Sequence, residues 1–479
     1  MKRLTSLLIL AFVAFSLQAA IKLPALIGSN MVLQRNATPN IWGKADPQSK
    51  VTVTTSWNKQ IYNVTADKDG HWLVKVNTPD AGGPYTITIR EKETIVLKNV
   101  LIGEVWISSG QSNMEMPVRG FGYQPNENCV QTIMEAPQYP GIRMFTVQKT
   151  SVDTPLDTCR GDWQLSTPES VGSFSATAYY FAKNLNKVLN IPIGIITTNW
   201  GGSAIEAWMT QESLNAMDGL NMPLISARTA DNQKVAVLYN GMIAPIKNYT
   251  AKGFIWYQGE SNRDNYQDYA KLMQGMLKLW RADWKDEKMP FYYAQLAPYI
   301  YEGVNGYSLA VMWEQQFKAL KMIPYSGMAT TTDIGDAACI HPARKEMVGM
   351  RLAMIALQND YAIKGLPASS TYCESVEYKD GKVIVQVNSL GEGGDLNTLN
   401  AFNQKIDGFE VAGADQKFYP AKGSIVWYQS KIELKSDSVA SPVAVRYNFH
   451  NVPVGTVQTI GAQPLLPFRS DNWPIDVKF

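Results

Sequence analysis

At 479 residues, 45% of them hydrophobic, the chain can bury a sizeable core and is too long for one ordinary domain; at roughly 150 residues per domain it predicts about three. Its 44 basic and 42 acidic residues leave a formal net charge of +2, so there is no electrostatic case for nucleic acid or an anionic membrane surface as a partner. Thirteen tryptophans and 23 tyrosines are mostly core material, and they are also the side chains whose faces stack on sugar rings.

Lys2 and Arg3 precede an apolar run from Leu7 to Leu17 that closes on Gln18-Ala19-Ala20, the charged, apolar and small-residue parts of a secretory signal. Residues 1–20 are therefore expected to be an export signal and the mature protein to be secreted or periplasmic. The run is short for a membrane span, and no other stretch approaches about 18 apolar residues, so no span is expected. No cysteine stands at the end of the signal to take a lipid anchor. The four cysteines, Cys129, Cys159, Cys339 and Cys373, allow three disulfide connectivities in an oxidising compartment or four free thiols. Their spacing fits no usual zinc pattern, and neither a metal nor another cofactor is expected.

Residues 21–100 alternate apolar and polar positions in short runs such as Lys50 to Thr55 and Tyr85 to Ile89, punctuated by Asp69-Gly70 and Gly82-Gly83-Pro84. That pattern predicts hairpins and a small N-terminal β-sandwich. Residues 101–365 change texture, with apolar strands alternating with helical stretches, which predicts an α/β domain on a central parallel sheet. Expected strands include Val100 to Ile107, Ile193 to Thr198, Phe254 to Tyr257, Phe291 to Leu296 and Met328 to Thr332. Expected helices are Ala176 to Leu189, Tyr266 to Trp280 and Lys345 to Leu357. Residues 366–479 return to alternation, as in Lys382 to Val387 and Val443 to Tyr447, and predict a C-terminal β domain.

In an open α/β sheet, ligands bind beyond the carboxyl ends of the strands. Four segments lie at such ends: Ser109-Gly110-Gln111-Ser112-Asn113-Met114, Asn199-Trp200-Gly201-Gly202-Ser203, Trp256-Tyr257-Gln258-Gly259-Glu260-Ser261-Asn262, and Asp333-Ile334-Gly335-Asp336 running on to His341-Pro342. Ser112 is the candidate nucleophile, because Gly110 lets the backbone turn sharply after its strand. A serine hydroxyl needs a base, and the chain has three histidines. His71 and His450 lie in the β modules and read as structural. His341 stands after a strand-like run and before a helical one, with Pro342 placed to start that helix. The oxyanion formed by attack on an ester needs preorganised donors, for which the backbone N–H of Ser112, a backbone N–H of Gly201-Gly202 and the Gln258 amide are candidates.

Together the four blocks resemble the SGNH hydrolase superfamily, and within it the sialate O-acetylesterase branch. The resemblance implies an SGNH-hydrolase-like three-layer parallel sheet flanked by N-terminal and C-terminal β modules. It also implies a serine esterase that removes O-acetyl groups from a carbohydrate, sialic acid being its suggested substrate. The superfamily commonly carries an aspartate three residues before its histidine, where this chain has Ala338. Asp336 is taken as the candidate third catalytic group, with Asp333, a backbone carbonyl or a plain Ser-His dyad as alternatives. Glu206, Trp208 and Glu260 are candidate substrate-binding residues; bracing of loops is the other role open to these acids and to Glu115, and core packing to Trp208. Competing functions are an acetyl esterase for plant polysaccharide such as xylan, a glycoside hydrolase using Glu206 and Glu260, and a non-catalytic glycan-binding protein.

Overall fold

The computed structural model describes residues 21–390, 399–400, 405–426 and 429–479; the expected export signal, residues 1–20, lies outside the described residues. Strands β1 (Val32–Gln34), β2 (Asn40–Lys44), β3 (Lys50–Thr55), β4 (Ile61–Thr65), β5 (His71–Lys75) and β6 (Gly82–Arg90) lead into β7 (Thr94–Gly110), 17 residues long. The first half of β7 pairs antiparallel with β6, which pairs with β3, and β3 with β4. β2 and β5 form a separate two-stranded sheet. From Val100 to Gly110 every residue of β7 is buried, as a strand covered on both faces must be. The boundary expected at residues 100 and 101 falls inside this strand, so the two modules are joined through a shared sheet and not by a linker.

The central sheet continues with β8 (Ile142–Thr146), β9 (Trp163–Leu165), β10 (Ile193–Asn199), β11 (Gly253–Tyr257), β12 (Phe291–Ala294) and β13 (Ser326–Ala329), in the order β13-β12-β11-β7-β10-β8-β9. Its neighbours are parallel except for β9, which is antiparallel to β8. The expectation of a parallel sheet is thus corrected to a mixed one, because β9 returns from β8 through a helix-free loop where a parallel pairing needs a crossover. Helices cover both faces. Trp106 packs on Phe181 of helix Ala176–Leu189. Phe254 and Trp256, on the opposite face by register with Trp106 and Gly253, pack on Trp280 of helix Tyr266–Trp284.

The first of these helices starts where Ser175 Oγ accepts from the Ala178 N–H and ends at Asn190, φ 52°, caps that satisfy its terminal groups. Helix Lys345–Asp360 runs three residues past its expected end, and helix Ser308–Met322 was not expected. Residues of the N-terminal module, Ile41 and Val53 among them, belong to the same apolar core as the central sheet. The C-terminal module has a core of its own around Val385, Val411, Ile432 and Val445, enclosed by two four-stranded sheets. All four cysteines are free thiols. Among the described residues no helix is long and apolar enough to cross a membrane.

Candidate active site

β7 ends at Gly110 with φ 140°, and a side chain there would meet the Tyr257 carbonyl oxygen of β11 at 2.2 Å. Only glycine fits both the backbone angle and the space. The chain then enters a short helix, Ser112–Glu115, so Ser112 occupies a first-turn position whose N–H has no partner within the helix. Ser112 is partly exposed, and among the described residues its hydroxyl has no hydrogen-bond partner.

His341 arrives from the loop 330–344 after β13. Two contacts bring this loop to Ser112. Asn113 Nδ2 donates to the Ile340 carbonyl at 3.0 Å, and the segment that follows Ser112 wraps the ring: Phe121 meets it edge-on at 5.2 Å and Gln124 Oε1 lies 2.8 Å from Nδ1. The Glu127 N–H donating to Ala343 O and Asn128 Nδ2 donating to Glu346 Oε2, both at 3.0 Å, fasten the same segment further along. An amide oxygen only accepts, so Nδ1 carries the proton and Nε2 keeps its lone pair. No hydrogen bond joins the Ser112 hydroxyl to the imidazole; a nucleophile and its base commonly close to hydrogen-bond distance only in the substrate complex.

The structure does not bring Asp336 to the imidazole. Its exposed carboxylate accepts from the Ala338 N–H of its own turn at 2.8 Å, and it forms no ion pair with His341. Asp333 is spent on Arg351 through two bonds of 2.7 Å. The group on Nδ1 is the neutral Gln124, which no sequence spacing pointed to. Burial, followed by the charge of Lys345, pulls the His341 pKa down to about 4, so the ring is a neutral base at pH 7. Pro342 does not start the helix as expected, because that helix begins at Lys345; its carbonyl accepts from Lys345 Nζ at 2.6 Å instead.

The candidate oxyanion donors divide. Gly201 lies so close to Ser112 that a side chain on it would be 3.3 Å from the Ser112 Cβ, and its N–H donates to Glu115 Oε2 at 2.6 Å. Glu115 Oε1 in turn takes Lys149 Nζ at 2.7 Å, the bracing role open to it. The N–H groups of Ser112 and Gly202 have no hydrogen-bond acceptor among the described residues. Gln258 is fully buried, and its Nε2 is committed to Ser203 O at 2.9 Å and Asn262 Oδ1 at 2.8 Å, while its Oε1 accepts from Tyr269. The expectation of an oxyanion donor at Gln258 is corrected: both of its N–H groups hold loops together.

Glu206 and Trp208 are also corrected, since both are fully buried and present no surface to a substrate. Glu206 accepts from Asn262 at 2.9 Å, and Trp208 donates to Ser203 Oγ at 3.0 Å while its ring packs on Trp256. Glu260 sits beside the loops that carry Ser112 and His341, holding Asn113 Nδ2 at 2.6 Å. Burial raises its pKa against the opposing pull of Asn113 and Lys345. Lys345, wholly buried, is pushed down to about 7 for the same reason, with Glu260 opposing the shift. Sequence reasoning missed Asn113 and Lys345 as supports. Asn113 stood inside a quoted block and could have been found there.

A family model described as "Carbohydrate esterase, sialic acid-specific acetylesterase" matches residues 102–358, more than half of the chain. Sialate O-acetylesterase of Mus musculus is 28% identical over 433 residues, covering 78% of this chain and 79% of that protein. The Homo sapiens sialate O-acetylesterase is 28% identical over 497 residues, covering 94% and 92%. The crystal structure of a carbohydrate acetylesterase from Xanthomonas citri superposes with a TM-score of 0.86 at 33% identity, covering 95% of this chain and 100% of that one.

Proposed function

The chain belongs to the sialic acid-specific acetylesterase family of carbohydrate esterases, and from that premise we propose that it is a secreted serine esterase of SGNH-hydrolase type, with Ser112 as nucleophile and His341 as base. That it is an ester hydrolase acting on carbohydrate follows from the family; the mechanism and the sugar are the proposal. The observation that carries the mechanism is the convergence of the loops after β7 and β13, tied by the bond from Asn113 to Ile340.

In this mechanism His341 Nε2 takes the Ser112 proton as the oxygen attacks the acetyl carbon. The oxyanion lies against the Ser112 and Gly202 N–H groups, the donors left without a partner. Collapse expels the sugar alcohol, which takes the proton back from His341. A water then repeats the sequence on the acetyl-enzyme and releases acetate. Gln124 keeps the ring in the tautomer this requires. A glycoside hydrolase built on Glu206 and Glu260 is disfavoured, because Glu206 is buried and cannot flank a glycosidic bond.

Sialic acid is the sugar in the names of the mammalian relatives; an acetylated neutral polysaccharide such as xylan is the competing substrate. Incubation with O-acetylated sialic acid and with acetylated xylan, scored for both acetate and new reducing ends, tests the proposal. Acetate from either substrate without reducing ends is expected, and the faster release identifies the sugar. Reducing ends without acetate would overturn the esterase mechanism.

A further inference from the structure

Between the C-terminal module and the loop that follows β12 lies a cavity of about 380 Å³, within the roughly 300–1,000 Å³ range of small-molecule sites. Tyr307, Phe418 and Trp473 supply its aromatic walls, with Phe418 and Trp473 in edge contact at 5.7 Å. Arg446 lines it while only 6% exposed. Its Nε and Nη2 are each 2.9 Å from Asp471, and its plane covers Phe418 at 4.0 Å. Its Nη1 has no hydrogen-bond acceptor among the described residues. Glu410 gives one oxygen to His450 at 2.8 Å, and Asp476 is exposed in the lining.

Flat half-buried rings beside fixed planar hydrogen-bonding groups match a sugar ring, which offers an apolar face and a rim of hydroxyls. The charges select among sugars. The lining sets one guanidinium, held by Asp471, beside the two carboxylates of Glu410 and Asp476, and the neighbouring Arg469 is shared between Asp471 and Glu314, so an anionic sugar would meet net repulsion. One wall of the cavity, Tyr307, belongs to the loop that leaves the carboxyl end of β12. Tyr307 ends the same loop in which Tyr301 stacks on Arg263 at 3.5 Å, just after Glu260. Asn451 of the C-terminal module pins that loop through bonds with Gly306, Leu309 and Gly303 at 2.8, 2.9 and 3.1 Å.

We propose that this cavity is a subsite for neutral sugar units, holding the body of an acetylated glycan while its ester is presented to Ser112. The role in catalysis rests on the esterase reading above; the binding itself does not. Calorimetric titration of the Ser112→Ala protein with xylohexaose, a neutral probe, and 3′-sialyllactose, an anionic one, tests it. Xylohexaose is expected to bind more tightly than 3′-sialyllactose, and Trp473→Ala added to this background is expected to weaken it about 10-fold. Asp476→Lys, at an exposed position that leaves folding intact, should narrow the preference against 3′-sialyllactose. No binding of xylohexaose, tighter binding of 3′-sialyllactose, or binding indifferent to both substitutions would overturn the subsite. Binding that responds as expected in a protein that never hydrolyses p-nitrophenyl acetate would leave the subsite standing and remove the esterase mechanism.

Discussion

Asn113 Nδ2 reaches the Ile340 carbonyl at 3.0 Å across a sequence separation of 227 residues, and the same nitrogen donates to Glu260 Oε1 at 2.6 Å. The residue after the proposed nucleophile is thereby fixed to the residue before the proposed base, over a carboxylate that burial would otherwise leave poorly satisfied. Asn113→Ala removes both bonds at once. A loss of about 1–3 kcal/mol of stability is expected, with kcat falling about 10- to 100-fold as the two loops drift. Denaturant unfolding and p-nitrophenyl acetate kinetics on the same variant check the two effects together.

Gln124 holds His341 Nδ1 with a neutral oxygen, so it orients the ring but brings no counter-charge to a developing imidazolium. Gln124→Ala should lower kcat about 10- to 100-fold, part of the usual contribution of a positioned base. Gln124→Glu places a charge on Nδ1 and should raise the His341 pKa, moving the acid limb of the kcat/KM profile upward. A limb that stays in place in Gln124→Glu would remove Gln124 from contact with the working base.

Burial pulls His341 down to about 4 from an ordinary value of 6.5. The base works when neutral, so activity should persist as pH falls from 7 to about 5 and be half lost near pH 4. The same shift gives a linkage term: stability from keeping the folded ring neutral is complete above 6.5 and is lost as pH falls through the folded value. A kcat/KM profile that breaks near 6.5 would contradict the buried setting of the ring.

Gln258 spends both N–H groups and its oxygen on Ser203, Asn262 and Tyr269. Gln258→Ala should therefore act on folding, costing about 2–4 kcal/mol as buried polar partners lose their mates. The folded fraction should keep kcat within less than the ~100-fold loss typical of a missing oxyanion donor. Thermal unfolding set beside active-site-normalised rates separates the two roles.

The strands that carry the site were legible because each is a short run of buried, mostly apolar residues: Ile193–Asn199 and Gly253–Tyr257 appear close to where periodicity put them. Helix Ser308–Met322 was missed because buried residues crowd its first turns, from Ser308 through Trp313, which blurs the amphipathic period. Within the site, Ser112 and His341 stood out as reactive side chains at strand ends. Glu206 and Trp208 were singled out by closeness in sequence to Gly201-Gly202, and sequence distance does not say which way a side chain faces. Gln124 left no signal, since its role comes from a loop folding back over a histidine more than two hundred residues away.

The most direct measurement is acetate release from an acetylated carbohydrate by Ser112→Ala beside the unaltered protein, with unfolding curves to establish that both are folded. The account predicts that release disappears in the variant while the fold persists. Release at the unaltered rate from folded Ser112→Ala would contradict it.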